Sequence, residues 1–221
     1  MDNYTPTSRT RIRRLPKRGS YDKLAVHAIL DEGFICHVGF AVDAQPYVIP
    51  TIYARAGDTI YLHGSAVSRM LHTLAQGVQL CITVTLLDGL VLARSAFHHS
   101  LNYRSVVMIG SARLVDDKDE KMHALQSITD HVVPGRWNEV RWPNALELKQ
   151  ASVLALPLAE VSAKIRSGPP LDDDVDYSLP IWAGVVPVCT RLGTPKDDGR
   201  VLPEVPAIEL ARIARRATPA G

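Results

Sequence analysis

Apolar and polar positions alternate with two periods along this chain, and the switches between them mark its elements. Between Tyr21 and Leu30 the apolar residues Leu24, Ala25, Ile29 and Leu30 fall at helical spacing, and Gly33 follows as a stop. A short helix is predicted there. The runs FICHVGFAV (34–42), YVIPTIYAR (47–55) and TIYLHG (59–64) are instead rich in β-branched and aromatic residues, with turn formers such as Asp43, Gly57 and Asp58 between them. They read as three consecutive antiparallel strands.

Helical period returns from Ser65 to Gln76, where Val67, Met70, Leu71 and Leu74 share a face, Ser65 can cap and Gly77 ends the segment. Val78–Leu87, the pair Asp88-Gly89, Leu90–Phe97 and Ser105–Val115 predict three more strands, the first two joined as a hairpin. Asp116–His131 reads as a second long helix, with Met122, Leu125, Ile128 and Thr129 inward. Ala151–Leu158 and Glu160–Ile165 form a further strand pair, with Pro157 at a bulge or edge. After Ser167 comes an acidic, proline-containing loop, then the apolar IWAGVVPV, another Pro/Gly-rich segment and a basic helical stretch over 207–216.

Strands joined by short turns, with helices inserted rather than alternating, exclude a parallel α/β sheet. They predict an antiparallel barrel with helices packed outside. An incompletely closed barrel leaves edges and an apolar outer face that a second copy can cover.

The composition is that of an ordinary globular protein of 221 residues, 46% hydrophobic, with a formal net charge of +2. That excess is local. Residues 1–18 carry Arg9, Arg11, Arg13, Arg14, Lys17 and Arg18 against Asp2 alone, so this arm is +5 and the rest of the chain −3. The arm reads as solvated and too short to define a nucleic-acid partner. Cys36, Cys81 and Cys189 are odd in number, far apart and set in apolar runs, as buried free thiols are. With no apolar segment near spanning length, the expectation is a cytoplasmic, unanchored protein.

Several chemistries lack their motif. GxGxxG, GxxxxGK[ST], HExxH, GxSxG and CxxC are all missing. His98 and His99 are adjacent, and neighbours on a strand face opposite sides, so no metal site is expected from them. TIYLHGSAVSRML (59–71) is more informative: a strand ends at His63, Gly64 permits a close turn, Ser65 and Ser68 offer hydroxyls, and Arg69 supplies a cation suited to two-pronged phosphate recognition. The same spacing also fits a plain helix cap beside a surface arginine.

YLHGSAVSRML, preceded by PYVIPTIY and followed by NYRSVVMIGSARLV and WAGVVP, resembles the FMN-binding split-barrel proteins related to pyridoxamine 5′-phosphate oxidase. Within them it is most similar to the subgroup containing the 5-nitroimidazole-resistance reductases. The similarity runs from about residue 15 to 190 and implies a six-stranded antiparallel Greek-key split β-barrel with flanking helices. A basic arm (1–18) would precede the barrel domain (19–166), and a loop-and-helix extension (167–221) would complete the site. The resemblance implies a homodimer with FMN at its interface. Val48, Ile49, Pro50 and Thr51 would line the isoalloxazine through backbone groups, and His63, Gly64, Ser68 and Arg69 would hold the ribityl phosphate or approach the ring. Arg104 and Ser105 would supply polar contacts from the next strand. Trp182 would close the site, from its own or the other subunit, or serve as a core residue.

Two departures bear on the substrate. True pyridoxamine phosphate oxidases carry an Arg and a Lys where this chain has Pro46 and Thr51, so recognition of phosphorylated pyridoxal does not follow. His63 fits two roles, delivering a proton during reduction or hydrogen-bonding the cofactor. The reading is an FMN oxidoreductase that reduces a small nitroaromatic or quinone-like acceptor. A pyridoxamine phosphate oxidase, a flavin store, or a haem-binding protein using His63, His98 or His99 on the same barrel are its rivals.

Overall fold

The computed structural model describes residues 2–214. After a two-residue strand β1 (Gly19–Ser20), helix α1 (Lys23–Glu32) starts where the Asp22 carboxylate accepts from the Ala25 N–H, and buries Val26, Ile29 and Leu30. Strand β2 (Ile35–Val42) alternates as its sequence demands, with Cys36, Val38 and Phe40 buried. It turns tightly into β3 (Gln45–Ala56) through Asp43 and Ala44, both at positive φ, the twist that two-residue hairpins need. Strand β4 (Thr59–Ser65) follows, then helix α2 (Arg69–Ala75), strands β5 (Gln79–Leu92), β6 (Ser100–Ser111) and β7 (Arg113–Leu114), and helices α3 (Lys118–Val132) and α4 (Ala145–Gln150). Strands β8 (Ala151–Pro157), β9 (Glu160–Arg166) and β10 (Gly184–Pro187) and the short α5 (Ala211–Ala214) complete the described chain.

The sheet runs β1-β9-β6-β5-β2-β3-β4-β8-β7, antiparallel at every step, and β10 extends the edge of β5 beyond the end of β2. Its ends are not hydrogen-bonded to each other. Only Ala112 separates β6 from β7, so the sheet curls until β7 meets β8 without closing. The interior is filled by Val38, Tyr53, Leu62, Ile82, Val106, Met108 and their neighbours, with Met70, Leu71 and Leu74 of α2 reaching in. A second cluster lies outside, where α3 sets Ala124 and Ile128 against Ala54, Tyr61, Val153 and Ala155.

Several expectations are corrected. Asp88-Gly89 is not a hairpin: β5 runs through it with a bulge between Leu87 and Gly89, and Leu90–Leu92 continue the same strand. The glycine is needed for close approach, since a Cβ there would lie 2.9 Å from Val185 Cγ1 and 3.2 Å from the Val186 carbonyl of β10. Helix α2 starts at Arg69 with Ser68 as its cap; Ser65 is the last residue of β4. The arm is not a solvated tail. Tyr4 is 5% exposed and its hydroxyl bridges His27 and Asp58, while Arg9 pairs with Glu160. Cys36 is buried and Cys189 exposed, all three thiols being free. Arg215 and Arg216 of the expected basic helix lie outside the described residues.

Candidate functional site

Strands β3 and β4 pair only through Tyr53↔Leu62 to Ala56↔Thr59. Beyond that point β3 keeps β2 as its only partner and β4 keeps only β8. Residues 45–52 of β3 therefore present a free backbone edge, where Pro46 and Pro50 are tolerated because no ladder is waiting for their missing N–H. This divergence is the split of the barrel. One lip carries Val48, Ile49, Pro50 and Thr51; the other carries His63 and Gly64 and leads into Ser68 and Arg69. Two groups of residues 12 to 21 positions apart in sequence thus face one opening.

A cation spans the lips. The Arg69 guanidinium lies 5.0 Å from the centroid of the Tyr47 ring, which stacks on Phe40, and Arg69 has no acidic partner among the described residues. The Ser68 oxygen accepts from the Leu71 N–H at 3.5 Å, which leaves its own proton to give. Val48, 68% exposed, and Pro50 point outward while Ile49 packs on the core; a ligand lying on this edge meets backbone groups. Gly64 has a packing reason, because a Cβ there would come to 3.0 Å from Leu71 Cδ1.

His63 shares the outer pleat of β4 with Tyr61. Its Nδ1 is buried without a hydrogen-bond partner, and burial lowers its pKa. The ring is therefore held neutral near pH 7, able to donate at one nitrogen and accept at the other. A buried nitrogen of this kind is open to a hydrogen bond from solvent or a bound group.

The other expected residues lie elsewhere. Arg104 and Ser105 are neighbours on β6 and face opposite sides. Arg104 points inward at the barrel mouth, where it holds Glu32 and Asp88 in a four-bond clamp that raises its pKa, Glu32 first. It lines a cleft of about 200 Å³ with Cys189 and Thr190. Ser105 faces outward and donates to the Lys164 carbonyl at 3.3 Å. Trp182 is not a core residue: it is 65% exposed, with its ring over Gly184. Gly184 pairs with Leu92, whereas Val48 lies in register with Gly39 and Cys81. Eleven residues of β5 separate those rows, roughly 35 Å, so Trp182 does not reach the split of its own chain. Tyr47 was missed, although its place two residues ahead of Ile49 on an alternating strand was the available signal.

This geometry defines a split-barrel protein with an arginine on one lip that has no acidic partner among the described residues. The family model for pyridoxamine 5′-phosphate oxidase matches residues 22–165, and the chain belongs to that family. Among solved structures it is similar to the flavocytochrome Anf3 from Azotobacter vinelandii, with 41% identity over 96% of this chain and 98% of that one and a TM-score of 0.88. An FAD- and haem-binding protein from Mycobacterium smegmatis gives 34% identity, 88% and 96% coverage and a TM-score of 0.84. A protein from Bacteroides thetaiotaomicron named for 5-nitroimidazole antibiotic resistance gives 23% identity, 66% and 86% coverage and a TM-score of 0.56, which shows the shared fold. A comparison with curated proteins returns no match.

Proposed function

We propose that this protein is a flavin-binding oxidoreductase that also carries haem, with the flavin held at the split of the barrel. The observation that carries the haem half is likeness over nearly the whole chain, at 41% identity, to a flavocytochrome. It favours the haem reading over nitroaromatic or quinone reduction by flavin alone. Pyridoxamine phosphate oxidation is disfavoured by Pro46 and Thr51.

Flavin supplies two-electron chemistry that can be released singly, and haem iron supplies one-electron chemistry. The chain's own residues then have definable tasks. Arg69 and the Ser68 hydroxyl bind the flavin phosphate, the free edge of residues 48–51 orients the ring, and His63 Nδ1 holds or delivers a proton beside it. These assignments rest on the lips, the unpaired cation and the unsatisfied imidazole. Whether the flavin is FMN or a dinucleotide does not alter them, because both carry the phosphate that Arg69 would meet.

A homodimer completes the site. Ile35, Val48, Ile52 and Leu87 put exposed apolar side chains on the outer face of the sheet, a surface that a second copy would cover. Among the described residues no helix is long and apolar enough to cross a membrane. The three free thiols support a reducing compartment, and we assign the protein to the cytoplasm.

The test is the absorption spectrum of protein purified without added cofactor, before and after reduction. Flavin absorbs near ~450 nm and haem near ~400 nm. Both bands are expected; flavin without haem would return the reading to a simple flavin oxidoreductase, and neither band would refute it.

A further inference from the structure

Five cations of the N-terminal arm have no partner, although the arm itself is held in place. Residues 3–21 contain no acidic side chain. Arg9 is paired with Glu160, whereas Arg11, Arg13, Arg14, Lys17 and Arg18 have no acidic partner among the described residues. The loop they form is pinned at its base. The Arg11 N–H donates to the Thr7 carbonyl at 3.0 Å, and the Tyr21 hydroxyl accepts from the Ile12 N–H at 2.9 Å while donating to the Thr10 carbonyl at 3.2 Å. Gly19 lets the two sides close, since a Cβ there would stand 2.9 Å from Ile12 Cδ1. Between these anchors Arg13, Arg14, Leu15, Pro16 and Lys17 are all exposed.

Folding gains nothing from this arrangement, because five like charges within eight residues repel one another. Leu15, in their midst, is 46% exposed and stands at φ 55° and ψ 59°, a left-handed conformation unfavourable for leucine. The Arg18 N–H closes that turn on the Leu15 carbonyl at 3.0 Å. Nearby on β9, Arg166 is buried against neutral groups alone, the Asn102 side-chain oxygen and the carbonyls of Gly168 and Pro169, and burial, then the charge of Arg18, lowers its pKa. Cations fixed around an exposed apolar side chain are preorganised for an anionic surface that has an apolar layer beneath it.

A lipid surface fits these observations better than the other polyanions. Residues 11–18, RIRRLPKR, hold no aromatic ring to stack on a base and no Asn or Gln to read one. A stable protein interface engages about 20–30 residues a side, and this loop offers eight. A headgroup layer demands no matching shape, and it accepts Leu15 as well as the charges. We propose that the loop 11–18 is a peripheral membrane contact, in which Arg11, Arg13, Arg14, Lys17 and Arg18 meet anionic headgroups and Leu15 enters the interface between them. Such a contact is reversible and spans nothing. It does not depend on the cofactor reading.

The experiment is co-sedimentation of the full chain with vesicles of phosphatidylcholine alone and of phosphatidylcholine mixed with phosphatidylserine, over a range of salt. The parent is expected to sediment with the mixed vesicles only and to be released as salt rises. Each cation near an anionic leaflet strengthens binding about fivefold, so the double variant Arg13→Gln, Arg14→Gln should bind roughly 25-fold more weakly. Leu15→Gly suits the left-handed backbone and removes the apolar contact; it should bind roughly fivefold more weakly with the salt dependence of the parent. All three side chains are exposed, so Tm should stay that of the parent, and the parent's own salt titration needs no variant. Failure of the parent to sediment with mixed vesicles, binding that salt does not weaken, or parent-like binding by the double variant overturns the proposal. So does tighter binding to a short DNA duplex than to the vesicles at the same salt, which would assign the loop to nucleic acid.

Discussion

Arg69→Ala separates the candidate flavin site from the fold that carries it. In the folded chain Arg69 is exposed, and its only described interaction is the Tyr47 ring at 5.0 Å. A cation–π contact at an exposed position contributes about 0.5–1 kcal/mol, so a domain of this size should lose no more than about 4 °C in Tm. A charge-assisted contact to a flavin phosphate contributes more, about 1.5–3 kcal/mol. That corresponds to flavin binding weakened about ten- to a hundredfold. The assay is titration of cofactor-free protein followed by flavin fluorescence, with FMN and riboflavin in parallel. Riboflavin lacks the phosphate, so its affinity should be the same for parent and variant. Unchanged FMN affinity, or an equal loss for riboflavin, would refute the assignment of Arg69 to the phosphate.

Arg104→Met leaves Glu32 and Asp88 facing each other at the barrel mouth without their cation; about 2–3 kcal/mol of stability should go, less than for a fully buried pair because a quarter of the side chain is exposed, and urea unfolding measures it. Lys23, then Tyr4 and His27, hold the Asp58 carboxyl below its usual value, so its contribution is present above the unfolded carboxylate pKa and is lost as pH falls through the lower folded one. Acid unfolding of Asp58→Asn should accordingly show a shallower loss of stability below about pH 4 than the parent. Gly89→Ala should displace β10, since the new methyl would meet Val185 and the Val186 carbonyl; faster hydrogen exchange at 184–187 reports it, and parent-like protection there would show that the bulge adapts.

The strand runs and the helix over 116–131 were readable because their burial follows their period: β2 buries every second residue, and α3 has a buried face, although that face is Ala124, Ile128 and His131, with the expected Met122, Leu125 and Thr129 only half-buried. Asp88-Gly89 misled because the cue for a hairpin is also the cue for a bulge, and what decides between them is a strand nearly a hundred residues away, β10. The docked arm had no periodic signal, since scattered residues, Tyr4, Arg9 and Thr10, anchor it. Helix α4 was overlooked although Asn144 and Glu147 form a capping box that the spacing N-x-x-E spells out. For the site, the lips were legible from the motif around Gly64 and its resemblance. Strand alternation alone, applied to Arg104 and Ser105, shows that both could not face one ligand. That Arg166 is held by neutral groups alone, Asn102 and the carbonyls of Gly168 and Pro169, was not legible, because it depends on which carboxylates other arginines have taken.

The central claim is that flavin occupies the opening between the free edge of β3 and the turn that leads into α2. Hydrogen exchange read by mass spectrometry, on the full chain with and without bound flavin, tests it most directly. Added protection should concentrate in peptides covering residues 47–52 and 63–69, where the edge of β3 and the Ser68 turn meet the cofactor. Protection that leaves both segments unchanged and appears elsewhere on the barrel would contradict the account.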